Sequence, residues 1–189
     1  MIKKIIQQSI DTKQLIMQND NVIKQIKVLS HDIIKVLKNN GKVILAGNGG
    51  SFADSIHICA EFVVRFAKNR KSLSAISLGC NSSILTAAAN DFNFDDAFAR
   101  ELEAVANVND IFIPISTSGD SKNIIKAVEY ANTKSIKTIC MTGDKGGKIS
   151  HITDCIKVPS NITARIQESH IMIGHIICEL VENYFVNKK

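Results

Sequence analysis

Four hydroxyl side chains fall within the run Ile115-Ser116-Thr117-Ser118-Gly119-Asp120-Ser121. It follows the apolar run Ile111-Phe112-Ile113-Pro114-Ile115 and leads into the amphipathic stretch Asn123 to Tyr130, so it joins the end of a strand to the start of a helix. Such a turn suits a phosphate. Backbone N–H groups at a helix N-terminus carry partial positive charge, and the hydroxyls of Ser116, Thr117, Ser118 and Ser121 can donate to phosphate oxygens. The loop holds no lysine. A nucleotide-hydrolysing P-loop needs Gly-Lys-Ser/Thr for the terminal phosphates and magnesium, so the expected ligand is a single phosphate on a small molecule. The competing reading is a solvated turn with a serine cap.

A second loop, Ala46-Gly47-Asn48-Gly49-Gly50-Ser51, follows the apolar run Lys42 to Leu45. Read as a dinucleotide fingerprint it fails twice: Phe52 stands in the place of the third glycine, and the next strand ends Ser77-Leu78-Gly79 without an acid for a ribose. What remains is a tight turn whose backbone can approach a ligand, with Asn48 and Ser51 as polar contacts. His57 and Glu61 stand four apart on the helix that begins here, and so share one face. That spacing suits metal ligation or an acid/base pair, but also a plain surface ion pair, and Arg65 extends the face to offer Glu61 a structural partner. In the last helix His175 lies among Ile166, Ile173, Ile176, Ile177 and Leu180. An imidazole in such company needs a partner, either structural or one that tunes it for proton transfer. His31, His151 and His170 have more polar neighbours and are assigned to the surface or to caps.

The elements that must hold these groups read as follows. Val22, Ile26, Leu29, Ile33 and Val36 recur at helical spacing up to Asn39-Asn40-Gly41, so residues 1–40 form two helices. β-rich runs at 42–46, 73–78, 110–115, 136–141 and 154–158 alternate with helical patterns at 52–67, 82–89, 93–106, 121–133 and 163–186. This alternation predicts a parallel sheet covered on both faces. In such a sheet ligands bind beyond the carboxyl ends of the strands, where the order reverses, and both glycine-bearing loops lie at such ends.

With 189 residues, 45% of them hydrophobic, the chain can bury one sizeable core, and we read one domain: a helical extension over 1–40 and an α/β core over 41–189. The longest apolar stretch, Ile171 to Val181, is broken by His175 and Glu179, and Met1 to Ile10 mixes Lys and Gln with its isoleucines, so neither a membrane span nor a signal peptide is expected. Five cysteines, at 59, 80, 140, 155 and 178, form no Cys-x-x-Cys pair and read as reduced core thiols of a cytoplasmic protein. The charge of +5 is dispersed, apart from short clusters such as Lys68 to Lys71 and Lys188-Lys189. With 5% aromatic residues and no tryptophan, the chain lacks the basic, aromatic-lined groove of a nucleic-acid binder.

Taken together, Gly47-Asn48-Gly49-Gly50-Ser51, His57 with Glu61, Asn90-Asp91-Phe92, Ser116-Thr117-Ser118-Gly119 with Ser121, and Ala164-Arg165-Ile166-Gln167-Glu168 with His175 resemble the phosphoheptose isomerases of the sugar-isomerase (SIS) domain family. The resemblance runs in order over residues 40–186. It implies a flavodoxin-like three-layer sandwich with a five-stranded parallel sheet. It also implies isomerisation of sedoheptulose 7-phosphate to D-glycero-D-manno-heptose 7-phosphate, toward the heptose of bacterial surface polysaccharides such as lipopolysaccharide or capsule. By the same resemblance Glu61 and His175 are catalytic, Ser116, Thr117, Ser118 and Ser121 hold the phosphate, and Asn48, Gly49, Gly50, Ser51, Glu61, Asn90, Asp91 and Gln167 meet the substrate. Zinc, one ion per subunit, is implied at His57, Glu61, Gln167 and His175, and four copies are implied to assemble with sites between neighbours. Gln167 and His175 are eight apart, about 12 Å along a helix, so both must lean inward to share an ion. Phe52, Asp120 and Ala164 depart from the family pattern, and the Asp120 charge would repel a phosphate unless it is turned away. The rival reading is a non-catalytic SIS-domain sugar-phosphate sensor or a replication-initiator-associating protein.

Overall fold

A computed structural model describes residues 1–187; the Lys188-Lys189 end lies outside the described residues. Five strands, β1 (Val43–Gly47), β2 (Ala75–Ser77), β3 (Ile111–Ser116), β4 (Lys137–Gly143) and β5 (Asp154–Val158), form one sheet in the order β2-β1-β3-β4-β5. All four pairings are parallel, with Val43 opposite both Ala75 and Ile111. Parallel neighbours cannot be joined by hairpins, so helices cross between them and cover both faces. The helices are α1 (Ile2–Gln18), α2 (Asp20–Lys38), α3 (Gly50–Val63), α4 (Ser82–Asp91), α5 (Ala97–Val105), α6 (Lys122–Thr133) and α7 (Thr163–Val186).

Alternate residues of each strand feed two cores, which makes the molecule three layers. Val43, Leu45, Ile111, Ile113 and Ile115 pack with α2, α3 and α7 through Leu29, Ile33, Phe62 and Ile173. Ile44, Ala46 and Phe112 face α5 and α6 through Phe98, Leu102, Ile124 and Val128. Every residue of β1 and β3 is buried, which explains why these strands read as continuous apolar runs. The expected flavodoxin-like sandwich is therefore the observed architecture.

The expected boundaries hold to within a few residues, with two instructive exceptions. The helix expected over 52–67 ends at Val63, because the N–H groups of Phe66, Ala67 and Lys68 bond the Glu182 carboxylate instead of continuing the α3 ladder. The helix expected over 93–106 divides into a 3₁₀ turn at Phe94–Asp96 and α5. The break between α1 and α2 falls at Asn19, whose side-chain oxygen accepts the N–H groups of Asn21 and Val22 as an N-cap.

The strand order reverses between β1 and β3, so the loop after β1 and the hydroxyl loop after β3 flank one crevice. No helix among the described residues is long and apolar enough to cross a membrane.

Candidate active site

At the crevice two amides lock the loops together. Asn48 Nδ2 donates to Asn123 Oδ1 and Asn123 Nδ2 donates back to Asn48 Oδ1, both at 2.9 Å. The side chain of Asn48, expected to meet substrate, is thus bonded to the first turn of α6, and Asn123 is a positioning residue that sequence reasoning passed over. Its signal was its place two residues after Ser121, at the start of a helix.

The hydroxyl loop is folded on itself. Ser116 Oγ lies 3.2 Å from Ser121 Oγ and accepts the N–H of Gly119, while Ser118 Oγ accepts the N–H of Asp120 at 3.1 Å. Ser118 is exposed, and its O–H remains available to donate outward. Ser121 is the N-cap residue of α6 and makes no side-chain cap bond; its hydroxyl accepts from Ser116 and keeps its own O–H to donate to an anion at that helix end. Thr117 and Ser118 line a cavity of about 250 Å³ together with Asp120, Lys145, Ser160 and Ile166. Lys145 therefore supplies, from the loop after β4, the cation that the hydroxyl loop lacks. The carboxylate of Asp120 accepts the N–H of Lys148 at 3.0 Å, so it does not cap α6, and it stays on the cavity wall.

Below this crevice α3 and α7 run side by side in the same direction. A Cβ on Gly50 would come within 2.4 Å of the Gln167 amide, and one on Gly174 would come within 2.5 Å of Ile58 Cδ1. The bare Cα of Gly174 makes room for the Ile58 side chain between the helices, and the next residue, His175, meets His57. His57 Nε2 lies 3.2 Å from Glu61 Oε1 and 3.3 Å from His175 Nε2. The rings of His57 and His175 meet edge to face at 4.9 Å, and Phe66 covers His175 at 5.5 Å. Residues 118 positions apart in sequence thus converge as expected. His175 is half-buried rather than enclosed by isoleucines, and the partner of Glu61 is His57, with Arg65 exposed beyond it.

These three donors fit a metal. Ligand atoms of His57, Glu61 and His175 all lie within 4.8 Å of one another. Donors around one tetrahedral zinc, at about 2.0–2.2 Å each, stand about 3.3 Å apart, which matches the two short contacts. Gln167, the fourth expected ligand, is not gathered with them: its amide lies over Gly50, about 10 Å of helix rise from His57.

Asp54, one turn before His57, was not singled out from the sequence. Burial pushes its carboxyl up to about 6 against the pull of His57, and Oδ2 has no partner among the described residues. The spacing Asp54, His57, Glu61 on one helix face was the available signal. Asn90 and Asp91 are exposed at the end of α4 and bond each other at 2.8 Å; no hydrogen bond or ion pair among the described residues ties them to the Glu61 cluster.

The SIS-domain family model matches residues 11–143. Phosphoheptose isomerase 2 of Campylobacter jejuni is 49% identical over 181 residues, covering 95% of this chain and 90% of its own length. Phosphoheptose isomerase of Aneurinibacillus thermoaerophilus is 48% identical over 189 residues, covering 100% of this chain and 96% of its own. The chain belongs to the phosphoheptose isomerases of the SIS-domain family. A solved phosphoheptose isomerase from Neisseria gonorrhoeae superimposes with a TM-score of 0.90 at 33% identity, covering 96% of this chain and 97% of that one.

Three expectations about other residues need correction. His170 is not at the surface but fully buried, its Nε2 donating to the Thr142 carbonyl at 3.1 Å, because the face of α7 that it occupies lies against the end of β4. Cys80 is exposed, since the chain leaves the core between Gly79 and the Asn81 cap of α4, and Cys59 is half-buried; only Cys140, Cys155 and Cys178 are core thiols. Arg70, inside the short basic cluster Lys68 to Lys71, is not free surface charge but an almost fully buried ion-pair partner of Glu182.

Proposed function

We propose that the protein interconverts sedoheptulose 7-phosphate and D-glycero-D-manno-heptose 7-phosphate by proton transfer through an enediol. The observation that carries this reading is the meeting of Glu61, His57 and His175 within hydrogen-bond distance, in a chain whose close relatives are phosphoheptose isomerases.

Ser116, Thr117, Ser118, Ser121 and the N-terminal turn of α6 hold the phosphate, with Lys145 adding charge from the cavity wall. Gln167 and the backbone of Gly49 and Gly50 guide the sugar toward the cluster. Glu61 takes the proton from C1 of the ketose and returns it to C2, and His175 carries the hydroxyl proton from O1 to O2. The C1 carbanion charge is thereby never left on carbon, and the product is the aldose. A positioned general acid or base contributes about 10²–10⁴-fold, so stabilisation of the enediolate oxygens has to supply the remainder.

His57, Glu61 and His175 are the residues that would hold zinc, one ion per chain, and Gln167 would join them only by turning its amide away from Gly50. Such an ion would act as a Lewis acid on the sugar oxygens. The reading extends to a homotetramer with sites between subunits: exposed Asn90 and Asp91 would then complete a neighbour's site, and exposed Ile2, Ile5, Ile6 and Ile10 on α1 offer an apolar face for assembly. Free thiols throughout favour the cytoplasm, and heptose supply for lipopolysaccharide or capsule is the process served. The sensor and replication-initiator readings need no carboxylate beside two imidazoles, and nothing else supports them.

The test is direct. Purified protein incubated with sedoheptulose 7-phosphate should yield the aldose phosphate, metal analysis should approach one zinc per chain, and a chelator should depress the rate. Absence of aldose in the metal-replete enzyme would refute the isomerase reading.

A further inference from the structure

The segment between α3 and β2 contributes Arg70 to a buried ion pair with Glu182 of α7 that none of the chemistry above uses. Arg70 and Glu182 expose only 4% and 3% of their side chains, and their Nε and Oε1 atoms lie 3.2 Å apart. Each also bonds backbone: Arg70 at the end of α3, and Glu182 in the segment that follows it. Arg70 Nη2 donates to the Glu61 carbonyl at 2.7 Å and Nη1 to the Phe62 carbonyl at 2.9 Å. These are among the last carbonyls of α3, which have no partner within the helix and carry its negative dipole end. Glu182 accepts the N–H of Phe66 at 2.9 Å and those of Ala67 and Lys68 at 2.8 Å.

Glu182 lies two turns after His175 on the same face of α7. Burial alone would raise its carboxyl, but the three N–H donors and Arg70 outweigh burial and hold it below the usual range. The ring of Phe66, whose N–H Glu182 grips, is the one that covers His175. The pair is thus connected to both members of the proton-transfer couple: through the Glu61 carbonyl to one, and through the Phe66 ring to the other.

We propose that Arg70 and Glu182 are positioning residues for the isomerase reaction, a buried clamp that fixes the last turn of α3 and the Phe66 ring so that Glu61 and His175 meet. The inference rests on the isomerase reading for its kinetic consequence. A purely structural pair would contribute stability alone. A clamp sets the separation of two reacting groups, for which a displacement of about 1 Å costs on the order of 10²-fold in rate.

Removing one charge would leave the other buried and unpaired and so confound folding with function, whereas replacing both with apolar residues often preserves stability. The discriminating protein is therefore the double variant Arg70→Met/Glu182→Leu, compared with wild type in thermal unfolding, in turnover of sedoheptulose 7-phosphate and in the ¹H NMR signal of the His175 ring, assigned with His175→Gln. We expect an unfolding midpoint near that of wild type, kcat lowered about 100-fold with KM little changed, and loss of the ring-current displacement that Phe66 imposes on His175. Wild-type kcat or an unmoved His175 signal in the folded double variant would overturn the clamp. Should the double variant not fold, Arg70→Lys keeps the charge but cannot bridge both carbonyls, and the same comparison applies: a selective loss of kcat supports the clamp and full kcat refutes it. If wild type itself does not turn over the sugar, the isomerase reading fails, while the His175 signal still decides whether the clamp positions the ring.

Discussion

At the scale of single residues, the chemistry is split between donors that the sequence displays and groups that only folding brings together. The hydroxyl loop is local, since four side chains within six residues read as a phosphate cradle from their order along the chain alone. Its Ser118 is exposed and free to donate. Ser118→Ala should weaken binding of phosphorylated sugars about tenfold, the worth of one hydrogen bond to a charged group; calorimetric titration with the sugar phosphate checks this, and unchanged affinity would move the phosphate elsewhere. Asp54, Arg70 and His170 escaped the sequence reading because their burial is imposed by residues far along the chain, such as Glu182 for Arg70 and Thr142 for His170. A charge or an imidazole in a polar neighbourhood reads as surface until the partner helix is placed over it.

At the scale of elements, the site depends on α7 lying along α3 and over the end of β4. His170 reports on the second of these contacts. Burial lowers its pKa to about 4 despite the Thr142 carbonyl, and its Nδ1 has no partner among the described residues. An unfolded histidine takes up its proton near pH 6.5, the folded one only near 4. The unfolded state therefore binds more protons in between, and stability must fall as pH drops through that window, by ~3 kcal/mol at most for this group. Urea unfolding at pH 7 and pH 4.5 should show a smaller loss for His170→Gln than for wild type. An equal loss would mean that the imidazole titrates as in the unfolded chain. The order of helices and strands was legible from periodicity, because each element has a long apolar stripe of its own. The early end of α3 was not, because a carboxylate 116 residues away captures the N–H groups that would have continued it.

At the scale of the molecule, one chain presents more apolar surface than a solitary domain needs. Ile2, Ile5, Ile6, Ile10 and Leu15 stand exposed along α1, and Ile56, Val63, Ile176 and Leu180 lie exposed on α3 and α7, the helices that carry the cluster, with Val64 just past the end of α3. Light scattering should give a mass about four times the 20.7 kDa of the chain, and a monomer at micromolar concentration would refute assembly through these faces. The fold class was readable as a whole because alternation of strand and helix admits few topologies. The placement of Asn90 and Asp91, which are exposed and bond each other, was not, since no pattern along the chain fixes where the end of α4 lies relative to the Glu61 cluster. The account as a whole stands on Glu61 acting as the base beside His175. The most direct measurement is turnover of sedoheptulose 7-phosphate by Glu61→Gln, with sugar binding monitored by calorimetry. We predict a loss of at least about 10²-fold in kcat with binding retained; a variant that binds and turns over like wild type would contradict the central claim.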